Sequence, residues 1–106
     1  NDTWQFKFAT MTWQKLNPAI QTSARSKMRC AVHKSTLYVA GGSSSKTGTT
    51  FNDVVALDLS ATSVAWRISA SSIPAYTPTD SSAAVMYDHY LLWFGGRTDS
   101  GATNSF

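Results

Sequence analysis

The hexapeptide LYVAGG at 37–42 returns as LLWFGG at 91–96, which puts Gly41 and Gly95 54 residues apart. Other landmarks keep nearly the same spacing: NDVVALDL at 52–59 follows NDTWQFKF at 1–8 by 51 residues, and Trp66 follows Trp13 by 53. Ala31-Val32 and Val85-Met86 precede the two glycine pairs, and Asn104 falls 52 residues after Asn52, where a third copy would open. A chain that repeats itself at roughly 50 residues is built from stacked copies of one unit, because a single unit cannot bury its apolar face alone.

Inside each copy the texture is short apolar runs of period two, separated by turn residues, which is a strand pattern. The charged residues are six Asp and nine Lys or Arg, with no Glu, and Ser, Thr and Gly fill the gaps. That composition suits strands and turns and disfavours helices. The expected elements are strand a at 28–33, b at 36–41, c at 53–59 and d at 66–69, with a at 82–87 and b at 90–95 in the next copy. Residues 2–8 and 13–16 read as c and d of a preceding copy.

With four strands to a unit, the sequence resembles the kelch-repeat family of β-propellers over essentially its whole length. The residues that carry the resemblance are the apolar runs into Gly41-Gly42 and Gly95-Gly96, the Asn52-Asp53 opening of strand c, the Asp58 that closes it, and Trp13 and Trp66. Met28 and Ser82 stand where the family often has His, and Thr79 stands where the first copy has Arg25. The expected fold is therefore all-β, one complete four-stranded blade flanked by two half blades: 1–22 as strands c and d, 23–72 as the whole blade, and 73–106 as a, b and the start of c. The glycine pairs are expected to supply positive φ and close approach of the neighbouring blade. Trp13 and Trp66 are expected in the core.

Two blades' worth of strands cannot close a ring that typically has four to eight. The chain is expected to be a piece of a longer protein, with self-assembly of three copies as the alternative.

Enzyme chemistry has no foothold in this pattern. No Ser, His and Asp set lies in a nucleophile-elbow context, no glycine loop is shaped for phosphate, and no Glu is present to pair with an Asp. His33 and His89 sit at non-equivalent places near the a to b turns, on different blades and with no third ligand near, so neither a metal nor any other cofactor is expected. Tyr38 and Tyr87 are read as buried phenols reaching a backbone partner. Cys30, between apolar neighbours, reads as a small buried hydrophobe, and its being the sole cysteine favours a reducing, intracellular and cytoplasmic setting. A charge of +3 with a pI near 9.3 comes from scattered residues, not a basic run, so nucleic acid is not expected. No apolar stretch approaches the length of a membrane span.

Antiparallel strands in series put the d to a and b to c connections on one face, and these are the long ones. Recognition groups concentrate on long loops held by a rigid scaffold. Residues ahead of strand a and after the double glycine line the mouth of the central channel in propellers of this kind. That resemblance selects Arg25, Lys27, Ser43, Thr79, Asp80 and Arg97, with Lys46 and Tyr76 added from the same loops. The function expected is a protein-interaction module working beside the remaining blades, with another protein as partner. A non-catalytic segment of a metal-dependent propeller such as a copper radical oxidase, or a carbohydrate-binding propeller presenting Trp93 or Tyr76, are the alternatives.

Overall fold

The computed structural model describes residues 2–70, 80–98 and 101–102. Every regular element among them is a strand: β1 (Thr3–Lys7), β2 (Thr12–Leu16), β3 (Arg29–His33), β4 (Thr36–Ala40), β5 (Ser43–Ser44), β6 (Thr49–Thr50), β7 (Val54–Asp58), β8 (Trp66–Ala70), β9 (Ala83–Tyr87), β10 (Tyr90–Phe94), β11 (Arg97–Thr98) and β12 (Gly101–Ala102). The complete unit is an antiparallel sheet in the order β3-β4-β7-β8, with the hairpin β1-β2 before it and the hairpin β9-β10 after it. The expected strands agree with these bounds to within a residue or two. The small hairpins β5-β6 and β11-β12 lie where the sequence reading had placed only loops and the chain's end.

The repeat is written into the backbone more faithfully than into the side chains. Positive φ occurs at Lys27 and Ser81 (56° and 57°), at Lys34 and Asp88 (53° and 51°), and at both glycine pairs, each position recurring after 54 residues. Non-glycine residues rarely adopt this conformation, so its recurrence at matched places marks structurally equivalent turns. The tryptophans correspond as well: Trp66 pairs across the ladder with Leu57, as Trp13 pairs with Phe6.

Register decides which face of the sheet each side chain meets. Leu37, Val39, Val55, Leu57 and Trp66 fall on the face toward the preceding hairpin and form the core there, joined by Val64. The Trp66 indole donates to Thr3 Oγ1 at 3.3 Å, and backbone bonds Ala19 N to Val64 O and Trp66 N to Ile20 O lash the connecting segment to the same edge. Tyr38, Ala40, Val54 and Ala56 lie on the opposite face, toward β9-β10.

Four expectations change. Trp13 is 67% exposed although Trp66, its counterpart, is 7% exposed, because the described residues put nothing against the Phe6 and Trp13 face of β1-β2. Trp13 instead meets Phe6 with centroids 5.1 Å apart and the ring planes inclined at 55°. Cys30 is exposed, whereas its neighbour Arg29 is buried. Alternation along β3 turns Cys30 and Val32 to the inner part of the preceding face, which β1-β2 does not reach, and turns Arg29 toward β9-β10. Finally, the group that approaches Gly42 is the unit's own lead-in to β3: a Cβ there would lie 2.7 Å from Ser26 O and 2.9 Å from Met28 Cβ. Tyr38 is half-buried and Tyr87 is exposed, so the buried-phenol reading does not hold for Tyr87.

Candidate partner-binding face

The two ends of the sheet are distinct. At one end the chain enters β3 and leaves β4, and the bridge Ser26–Ser43 ties entry to exit; Asp80–Arg97 repeats that bridge in the next unit. At the other end the turn after β3 and the loop after β7 are joined by Leu59 N to Ser35 O at 2.8 Å. Asp58 caps that loop, its Oδ1 accepting from the backbone N and the hydroxyl of Ser60. Those two bonds hold its carboxyl below the ordinary range.

The candidate residues gather at the first end, but they divide by role. Arg25 is held inside. Its guanidinium donates to Asp53 Oδ1 and Oδ2 at 2.6 and 3.0 Å and to Gly41 O at 3.1 Å, and its Cζ lies 4.1 Å from the centroid of the Phe51 ring. The side chains are 4% and 20% exposed for Arg25 and Asp53. Sequence reading placed Arg25 in the binding set; the structure makes it the tie between the lead-in, the first glycine turn and the start of β7. This also explains the Asn52-Asp53 landmark, since Asp53 is the acceptor of that tie.

Asp80 and Ser43 form a second tie, between units. Asp80 is 7% exposed, and it accepts from Ser43 Oγ at 3.1 Å and from Ser81 Oγ at 2.9 Å. Ser81 N donates to Lys27 O at 2.8 Å, a backbone bond across the same seam. Burial alone would raise the Asp80 pKa. The two hydroxyl donors, with the charges of Lys27 and Arg97, outweigh it and hold the carboxyl ionised below the ordinary carboxylate range.

Lys27, Lys46 and Arg97 remain exposed around these ties. Lys46 sits in the turn of β5-β6, and Arg97 opens β11 directly after Gly96. Tyr76 and Thr79 lie outside the described residues. Arg29 was missed by the sequence reading: it is buried, with its Cζ 5.1 Å from the Trp93 ring of the next unit. The Trp93 ring, half-buried, therefore has a cation against it. An inward Arg at the first position of a strand carries no compositional signal; only the alternation with Cys30 and Val32 could have indicated it.

The model of the KLHDC2/KLHL20/DRC7 Kelch-repeats domain matches residues 1–106. The chain belongs to the kelch-repeat family. Among solved structures, that of YjhT superposes with a TM-score of 0.70 at 16% sequence identity, over 90% of this chain and 26% of the YjhT chain. The likeness shows the fold, and this chain spans about a quarter of the length of that structure. No curated protein sequence matches. The β3-β4-β7-β8 sheet is thus a kelch blade, and the bridges Ser26–Ser43 and Asp80–Arg97 mark the same place on two consecutive blades of a propeller module.

Proposed function

We propose that this propeller segment binds another protein, and does no chemistry itself, through the end of the blades that carries Lys27, Lys46 and Arg97, taking acidic groups of the partner. The observation that supports this reading is the pairing of exposed cations with a backbone already fixed beneath them. The equivalent hairpins β5-β6 and β11-β12 project from the same end of adjacent blades, while Arg25–Asp53 and Ser43–Asp80 hold their bases. The acidic side chains in this set are engaged internally, so the exposed field is positive. An Arg so placed can take a carboxylate through two parallel bonds.

A randomised peptide library selected on the intact protein tests this. Selected peptides are expected to be rich in Asp and Glu or to present a terminal carboxylate, and Arg97→Glu or Lys46→Glu to weaken them tenfold or more, Lys46→Glu leaving the unfolding midpoint unchanged. Peptides that bind the charge-reversed variants as well as the parent would overturn the assignment of this face.

A further inference from the structure

Among the described residues two strand edges of the half blades stand open: the side of β1 away from β2 and the side of β10 away from β9. In the complete blade the matching edges are joined, β4 to β7, with Leu37 opposite Leu57, Tyr38 opposite Ala56 and Val39 opposite Val55. β10 corresponds to β4 at an offset of 54 and β1 to β7 at an offset of 51, so β9-β10 is the first half of a blade and β1-β2 the second half. Within one chain the two halves lie against opposite faces of the complete blade and cannot meet.

Their side chains nevertheless fit each other. The core of the complete blade is built from Leu37, Val39, Val55, Leu57 and Trp66. In a blade assembled from β9-β10 and β1-β2 the same positions hold Leu91, Trp93, Trp4, Phe6 and Trp13, every one apolar. Leu91 and Trp93 already line, with Tyr38, Val54, Ala70 and Met86, a cleft of about 340 Å³ between the blades. At one end of that cleft the His33 and His89 rings meet, with centroids 6.4 Å apart. Trp4, exposed in the single chain, would stand opposite Trp93 as Val55 stands opposite Val39, on the face that looks into the cleft. Charge agrees as well. The complete blade has Lys34 in the turn before β4 and Asp58 at the end of β7; the corresponding places hold Asp88 and Lys7, so both signs are reversed together.

We propose that copies of this chain join head to tail, β1-β2 of one copy pairing with β10 of the next to complete a blade in the order β9-β10-β1-β2. Such an interface is heterologous, and it closes into a ring when the rotation permits. With two blades' worth of strands per copy, a propeller of typically four to eight blades takes roughly two to four copies. The same step sets the exposed Val85, Tyr87 and Phe94 face of β9-β10 against the complete blade of the next copy, whose Cys30 and Val32 are open on the side that β1-β2 does not reach. Both open edges are then paired, which removes the template they offer for irregular association.

Two measurements on the whole chain test this. Sedimentation equilibrium is expected to give roughly two to four times the single-chain mass, and Trp4→Ala to raise the concentration at which copies separate tenfold or more. The register is tested by cross-linking in a Cys30→Ser background. Gly41 N donates to Asp53 O, so that pair is hydrogen-bonded and, by alternation along the ladder, Tyr38 and Ala56 are a non-hydrogen-bonded pair. Cα atoms of such pairs lie about 4.5 Å apart, within disulfide reach. Gln5→Cys combined with Leu92→Cys, the corresponding pair, is therefore expected to link copies covalently on oxidation, whereas Gln5→Cys combined with Tyr90→Cys, two residues out of register, is not. A single-chain mass at every concentration would overturn the proposal. So would a Gln5→Cys, Leu92→Cys chain that stays unlinked because residues from Asn104 onward take the β10 edge instead.

Discussion

Arg25 and Asp53, distant in sequence, face each other through two parallel hydrogen bonds of 2.6 and 3.0 Å, and the same guanidinium closes on the carbonyl of Gly41. The geometry joins three segments: the connection into β3, the glycine turn after β4 and the first residue before β7. A fork of this kind needs the planar five-donor head of Arg, and an ammonium cannot reproduce it.

Arg25→Ala leaves the Asp53 carboxylate largely buried and without its cation, and is expected to lower stability by about 3 kcal/mol. Arg25→Lys is expected to recover less than half of that. Denaturant midpoints of the two variants check the order; a lysine variant as stable as the parent would show that charge alone suffices.

Gly42→Ala is expected to cost more than Gly48→Ala by about 2 kcal/mol. Both glycines have positive φ, at 89° and 69°, so the backbone penalty is shared. Only Gly42 brings a new Cβ against Ser26 O and Met28, whereas the space beside Gly48 is open. Equal midpoints for the two variants would show that the lead-in to β3 yields without cost.

Asp80 gives the seam a dependence on acid. Its folded pKa lies below the ordinary value of 3.8, so the unfolded chain binds its proton more readily than the folded one. The stabilisation is present above the unfolded pKa and is lost as pH falls through the folded value. Asp80→Asn is expected to cost about 1.5 kcal/mol at pH 7, and the gap to the parent to narrow as acidification carries the pH below 3.8 and on through the folded pKa. Urea titrations at pH 7 and in acid check this, and a gap independent of pH would remove the carboxylate from the account.

Trp66→Ala is expected to cost about 3 to 5 kcal/mol, since it empties the centre of the Leu57, Val39 and Val55 cluster and releases the bond to Thr3. Trp66→Phe is expected to recover most of the packing and none of that bond. Thermal unfolding of both variants distinguishes the two contributions.

The strands were legible because their signals are local: period-two apolar runs, paired glycines, and the turn chemistry of Asp58 and Ser60. The assembly of those strands was legible from the repeat alone. Burial was not, because a strand has two faces and the sequence does not say which neighbour covers each. Cys30 and Val32 look like core and lie outside; Arg29 looks like surface and lies inside, against Trp93. The candidate face was found from loop length and position, but loop position does not reveal which charges are already satisfied. Arg25 and Asp80 have the composition of recognition residues and serve as ties, because their partners, Asp53 and Ser43, are distant in sequence and carry no motif that couples them. His33 and His89 were legible as neighbours of the a to b turns on different blades, but their ring contact was not, because it forms only when one blade is set beside the next.

The bonds from Ser81 N to Lys27 O and from Ser43 Oγ to Asp80 lie where consecutive blades enter their first strands. Fastening there joins one blade to the next beside β3 and β9 and involves neither β7 nor β8. Length changes between β7 and β8 therefore fall outside these two bonds, whereas a change at Asp80 removes one of them.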